Sequence, residues 1–148
     1  MGRTIRKVVL TNLILLAGSI TYQCKEDLSL DQIPFVYVEE IINLNNFEYN
    51  KLNLVGGFVY IEAGVRGIII YRQSVDRYLA FERNCTYRPN DECALVEVDE
   101  STLYMIDPCC SSTFDFDGYP TGGPAEFPLR QYTTFQDQNL LIITSEFN

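Results

Sequence analysis

From Ile33 onward the chain alternates short apolar runs with turn-forming residues. Ile33–Val38, with Pro34 near one end, reads as a first strand, and Ile41–Leu44 follows. The Asn-rich stretch 43–53 reads as a loop or an irregular edge. Gly56-Gly57 then punctuates the chain, and Phe58–Ile61, Gly67–Tyr71 and Tyr78–Phe81 form the next strands. Ile68-Ile69-Ile70 is apolar without alternation, which predicts a strand covered on both faces. Ala94–Val98 and Thr102–Ile106 flank Asp99-Glu100-Ser101 as a hairpin. Thr113–Phe116 leads into the Asp117-Gly118 turn, and Phe127–Phe135 with Leu140–Thr144 flank Gln136–Asn139 as a second hairpin. No long segment carries a 3.6-residue period. The pattern predicts one all-β domain over 33–148, an antiparallel sandwich or barrel.

The first 23 residues do not fit that pattern. Arg3, Arg6 and Lys7 precede an apolar stretch from Val8 to Ile20, the layout of a secretory signal and too short for a comfortable membrane span. Cys24 follows, with Lys25-Glu26-Asp27 behind it. This resembles a bacterial lipoprotein start, in which Cys24 is lipidated and residues 24–32 form a tether. Gln23 departs from the small residue usual there, and cleavage after Ala17-Gly18-Ser19 is the competing reading. The expectation is an exported protein of the cell envelope, held to a membrane through a lipid on Cys24.

Cysteine usage and charge sharpen that picture. Of five cysteines, setting Cys24 aside leaves Cys85, Cys93, Cys109 and Cys110, an even number that favours disulfides in an exported domain. Arg3, Arg6 and Lys7 are three of the eleven basic residues, so 24–148 carries eight against twenty acids, a net charge of −12. That balance disfavours nucleic acid as a partner. Ten Tyr and nine Phe suit a β-rich core.

Two cysteine loops carry the chemistry. The first is Cys85-Thr86-Tyr87, and the second is Asp107-Pro108-Cys109-Cys110-Ser111-Ser112-Thr113-Phe114-Asp115. Asp117-Gly118, Gly123-Pro124-Ala125, Pro128-Leu129 and Tyr132 follow. In order and spacing these resemble the Rieske [2Fe–2S] domain family over roughly 58–143. The segment before Gly56 also resembles exported Rieske-like lipoproteins of Bacteroidetes.

The resemblance implies two loops facing each other across a cluster, within a subdomain of about 85–113. It places Cys85 and Asp107 at the family's Cys positions and Tyr87 and Cys110 at its His positions. It also implies that Ser112 hydrogen-bonds the cluster and that the Gly123-Pro124-Ala125 loop covers it. A Rieske centre needs two Cys on one iron and two His on the other. The chain contains no His, so that ligand set cannot be built.

The expectation is therefore a degenerate site without a cofactor. Disulfides would take over the clamp, as Cys85–Cys110 with Cys93–Cys109 or as Cys85–Cys109 with Cys93–Cys110. Arg3 and Arg6 are separated, so the twin-Arg signal that carries folded cluster proteins outward is missing. A structural or interaction module with an unknown protein partner is the leading reading. An electron-transfer protein holding [2Fe–2S] on Cys85, Tyr87, Asp107 and Cys110 is the alternative. A thiol-redox protein is the third. No enzyme is expected, because without His there is no Ser–His or Cys–His pair, and no phosphate-binding glycine loop appears.

Overall fold

The computed structural model describes residues 32–145; the expected signal segment 1–23 and Cys24 lie outside them. The described residues form ten strands and one 3-10 helix, so the all-β expectation holds. Strands β1 (Glu39–Asn43), β2 (Phe58–Ile61), β3 (Ile68–Ser74), β4 (Arg77–Glu82), β9 (Gln131–Asp137) and β10 (Leu140–Thr144) make one antiparallel sheet in the order β1-β10-β9-β4-β3-β2. Strands β5 (Glu97–Val98), β6 (Met105–Asp107), β7 (Ser112–Phe114) and β8 (Pro120–Gly122) make a second, smaller one in chain order. Among the described residues no helix is long and apolar enough to cross a membrane.

The large sheet curls, and its two faces serve two cores. Val59, Ile68, Ile70, Tyr78, Ala80, Tyr132, Leu141 and Ile143 gather on one face with Ile42 from the edge strand. Ile69, Leu79 and Phe81 point the other way and meet Val98, Met105 and Phe114 of the small sheet. The isoleucine run of β3 is thus buried on both faces, as its missing alternation predicts. Ile68, Ile69 and Ile70 are each fully covered, which stabilises by about 1.5–3 kcal/mol per side chain.

Three local expectations are corrected. The segment Ile33–Val38 lies outside the strands. The Arg130 guanidinium donates to the Ile33 and Pro34 carbonyls, and Phe35 and Tyr37 are exposed. Only at Val38, which exchanges bonds with Ser145, does the chain join the sheet. Stretch 43–53 holds a 3-10 helix, Phe47–Asn53. Tyr49 and Leu52 are three apart, which places them on one side of such a helix, and both pack into the first core. The Leu52 carbonyl accepts from the Tyr78 hydroxyl and the Arg72 guanidinium. Lastly, β5 is shorter than expected, because Val96 and Leu95 turn back to bond Arg83 and bridge Asn84 at the end of β4. That return fixes both ends of the first cysteine loop.

Candidate functional site: a thiol–carboxylate triad between two loops

The second cysteine loop is a turn between paired ends. Asp107 closes β6 and faces Ser112, which opens β7. The Asp107 carboxylate accepts from the Cys109 N–H at 2.8 Å, and its carbonyl accepts from the Ser111 N–H at 2.8 Å. This Asx-type bonding tightens the turn, and Ser111 takes the left-handed conformation, φ 60°. The turn sends two adjacent cysteines in different directions. Cys109 faces outward and is bonded to Cys93 of the first loop, while Cys110 turns back toward Cys85.

The first loop leaves β4 through Glu82, a fully buried carboxylate. One of its oxygens accepts from the Arg66 and Asn84 N–H groups, the other from the Val65 N–H and the Tyr132 hydroxyl. Arg66 then reaches across to the Pro89 and Glu92 carbonyls within the loop. Burial, with the Glu82 bond behind it, pushes the Tyr132 hydroxyl well above the usual tyrosine range, so it stays a donor. Cys85 follows Asn84 directly, with its N–H bonded to the Ala94 carbonyl and its side chain wholly covered.

Between the loops lie Cys85, Asp107 and Cys110, with one potential ligand atom each and all three atoms within 4.8 Å of one another. The sulfurs of Cys85 and Cys110 are 3.9 Å apart and unbonded. The Cys110 sulfur is 3.2 Å from an Asp107 oxygen and 3.0 Å from the Ser112 hydroxyl, which also accepts the Ala125 N–H at 3.0 Å. Burial pushes the Cys85 thiol far up, the hydrogen bond to Asp107 adds to this, and the Tyr87 backbone N–H works against it. Cys85 is therefore a protonated, poorly nucleophilic thiol when nothing else neutralises the site.

The loop Gly123-Pro124-Ala125 lies against Ser111 and Ser112, beside this triad. Gly123 has φ 79°, and a Cβ there would meet the Ser112 Cα at 2.5 Å and the Ser111 carbonyl oxygen at 2.6 Å. Both are backbone atoms that cannot swing aside. Gly123→Ala is accordingly expected to lower stability by about 2–3 kcal/mol through strain and displacement of this loop. Urea denaturation reads the loss, and hydrogen exchange at Ala125 reads the displacement.

The positions singled out in the sequence thus separate into groups. Cys85, Asp107 and Cys110 converge, Ser112 sits beside them, and Gly123 and Pro124 belong to the loop that packs on Ser111 and Ser112. Tyr87 packs against the same core as Cys85 and also lines an open surface groove of about 680 Å³ with Thr86, Arg88, Pro124, Phe127 and Arg130, the Arg88 guanidinium lying over its ring. Of the two expected cystines, Cys93–Cys109 is formed and Cys85 and Cys110 carry free thiols. The swapped pairing is excluded by the Cys93–Cys109 bond, since the turn at Asp107 fixes which way each cysteine faces. The expected Asp117-Gly118 turn is present, the Asp115 carboxylate accepting from the Asp117 and Tyr119 N–H groups.

Glu82 was not singled out by sequence reasoning, although a signal was present. Tyr78, Ala80 and Glu82 share one face of β4 by the two-residue period, which puts a carboxylate in step with core positions. The chain matches no protein-family model and no curated protein.

Proposed function

We propose that this chain is a Rieske-like domain of the cell envelope, tethered by a lipid on Cys24, whose cluster site is degenerate and whose role is structural or protein-binding. The observation that carries this reading is the compactness of the triad. A [2Fe–2S] centre takes two ligands on each of two irons. Here three ligand atoms lie inside 4.8 Å, a spacing suited to one centre, while Tyr87, at the fourth position of the resembled ligand set, lines the outer groove. This spacing, with no histidine in the chain, supports a site that does not hold the binuclear group. The Cys93–Cys109 cystine joins the two loops and supplies the covalent tie that a cluster would otherwise give.

Electron transfer on altered ligands is less well supported because it needs that missing fourth ligand. Thiol exchange is less well supported because the Cys85 thiol is buried and its proton is held tightly. A partner protein would meet the domain at the groove beside the loops, where Phe127 is exposed and Thr86 bonds the Phe127 carbonyl. With a net charge of −12 over 24–148, eight basic against twenty acidic residues, nucleic acid is not the expected partner.

The test is iron and acid-labile sulfide per chain, measured on full-length protein purified from its own envelope without air. Neither is expected above trace level. About two irons and two sulfides per chain would overturn the reading in favour of an electron carrier.

A further inference from the structure

The free thiols of Cys85 and Cys110 and the buried Asp107 carboxylate face one another. A tetrahedral ion with two metal–sulfur bonds of about 2.3 Å places its sulfurs about 3.8 Å apart. The sulfurs of Cys85 and Cys110 are 3.9 Å apart. A sulfur and a carboxylate oxygen on the same ion would be about 3.5 Å apart, and the Cys110 sulfur lies 3.2 Å from Asp107. Little movement separates the observed arrangement from a coordination shell.

We propose that Cys85, Cys110 and Asp107 bind one thiophilic divalent ion of the zinc type, as a mononuclear site. Two thiolates and a carboxylate suit such an ion by softness and charge. The proposal goes beyond the degenerate-site reading above, which requires no metal.

The surroundings fit a metal-bound thiolate pair. The Tyr87 backbone N–H acts on Cys85 in favour of its thiolate. The Ser112 hydroxyl accepts from Ala125 and lies 3.0 Å from the Cys110 sulfur, free to turn its hydrogen toward it. Such donors stabilise thiolates and hold them in place. Asp107 is oriented in turn by the Cys109 N–H, which bonds its other oxygen. On binding, each thiol releases its proton to solvent as its sulfur takes the ion. Cys85 and Asp107 are fully covered, while Cys110 is partly exposed. The fourth position thus falls on the Cys110 side, where solvent can complete the tetrahedron.

The test uses the full-length chain, purified anaerobically and titrated with zinc alone and with cobalt(II) alone. One ion per chain is expected, with a sulfur-to-cobalt charge-transfer band and the visible spectrum of a tetrahedral site. Cys85→Ser and Cys110→Ser should lose the band, and Asp107→Asn should bind at least about tenfold more weakly. X-ray absorption on the zinc-loaded wild-type chain needs no variant and should show two sulfurs at about 2.3 Å. The proposal is overturned if the reduced chain takes up no stoichiometric ion, if the absorption data lack the two sulfurs, or if the serine variants bind as the wild type does. A Cys85–Cys110 cystine in protein taken from the envelope would also overturn it.

Discussion

Glu82→Gln is expected to lower stability by about 3–5 kcal/mol, the range for breaking a buried charged network by changing one member. Glu82 is fully buried, and four donors converge on its two oxygens: the N–H groups of Val65, Arg66 and Asn84 at 2.8, 2.9 and 3.1 Å, and the Tyr132 hydroxyl at 2.8 Å. Glutamine keeps the shape but turns one acceptor into an amide donor. Whichever way it lies, two of the four donors face another donor and lose a charge-assisted bond, each of about 1.5–3 kcal/mol. A Cβ on Gly64, where φ is 73°, would run into the Glu82 carboxylate and the Tyr132 hydroxyl. Urea denaturation gives the size of the loss. Hydrogen exchange should show the damage concentrated at Val65, Arg66 and Asn84, the residues that set the first cysteine loop. A loss under about 1 kcal/mol would mean that solvent reaches Glu82 and that the network is not what anchors the loop.

How much of this was legible in the sequence depends on whether the signal was local. Ile68-Ile69-Ile70 announced a strand buried on both faces because the rule concerns consecutive residues, and the two cores divide along it. Pro120-Thr121-Gly122 gave no strand signal. It forms β8 because an edge strand needs bonds on one side only and tolerates a proline. The 3-10 helix was missed because its stabilisation comes from Leu52 and Tyr49 entering a core made by distant strands.

The site divides in the same way. The Asp107-to-Ser112 motif and the loop at Gly123 could be marked through their resemblance in order and spacing to the Rieske family. Neither cystine pairing could be chosen, because adjacent cysteines can face either way until a turn orients them. That turn depends on the Asp107 carboxylate taking the Cys109 N–H, a bond that spacing alone does not reveal. Glu82 lay between these cases: its period on β4 was visible, but the four donors come from 63–66, Asn84 and β9.

Replacing Cys93 and Cys109 together by serine is expected to lower stability by about 3 kcal/mol, the chain-entropy value for a loop of roughly fifteen residues. The two cysteines are 16 apart in sequence, and both lie on the surface. Their replacement leaves no cavity and buries no polar atom, so the loss arises mainly in the unfolded chain, which is no longer cross-linked. Comparing denaturation with and without reductant makes the measurement more informative. If Cys93–Cys109 is the cystine of the folded domain, reductant should lower the wild type by the same amount and leave the double variant unmoved. A residual drop in the variant would reveal a second reducible bond at Cys85 and Cys110. The same experiment with zinc present bears on the triad, because an ion bound only by the folded chain raises stability in proportion to the logarithm of its concentration above the dissociation constant. A double variant insensitive to reductant but stabilised by zinc would show that the cystine and the triad hold the two loops independently.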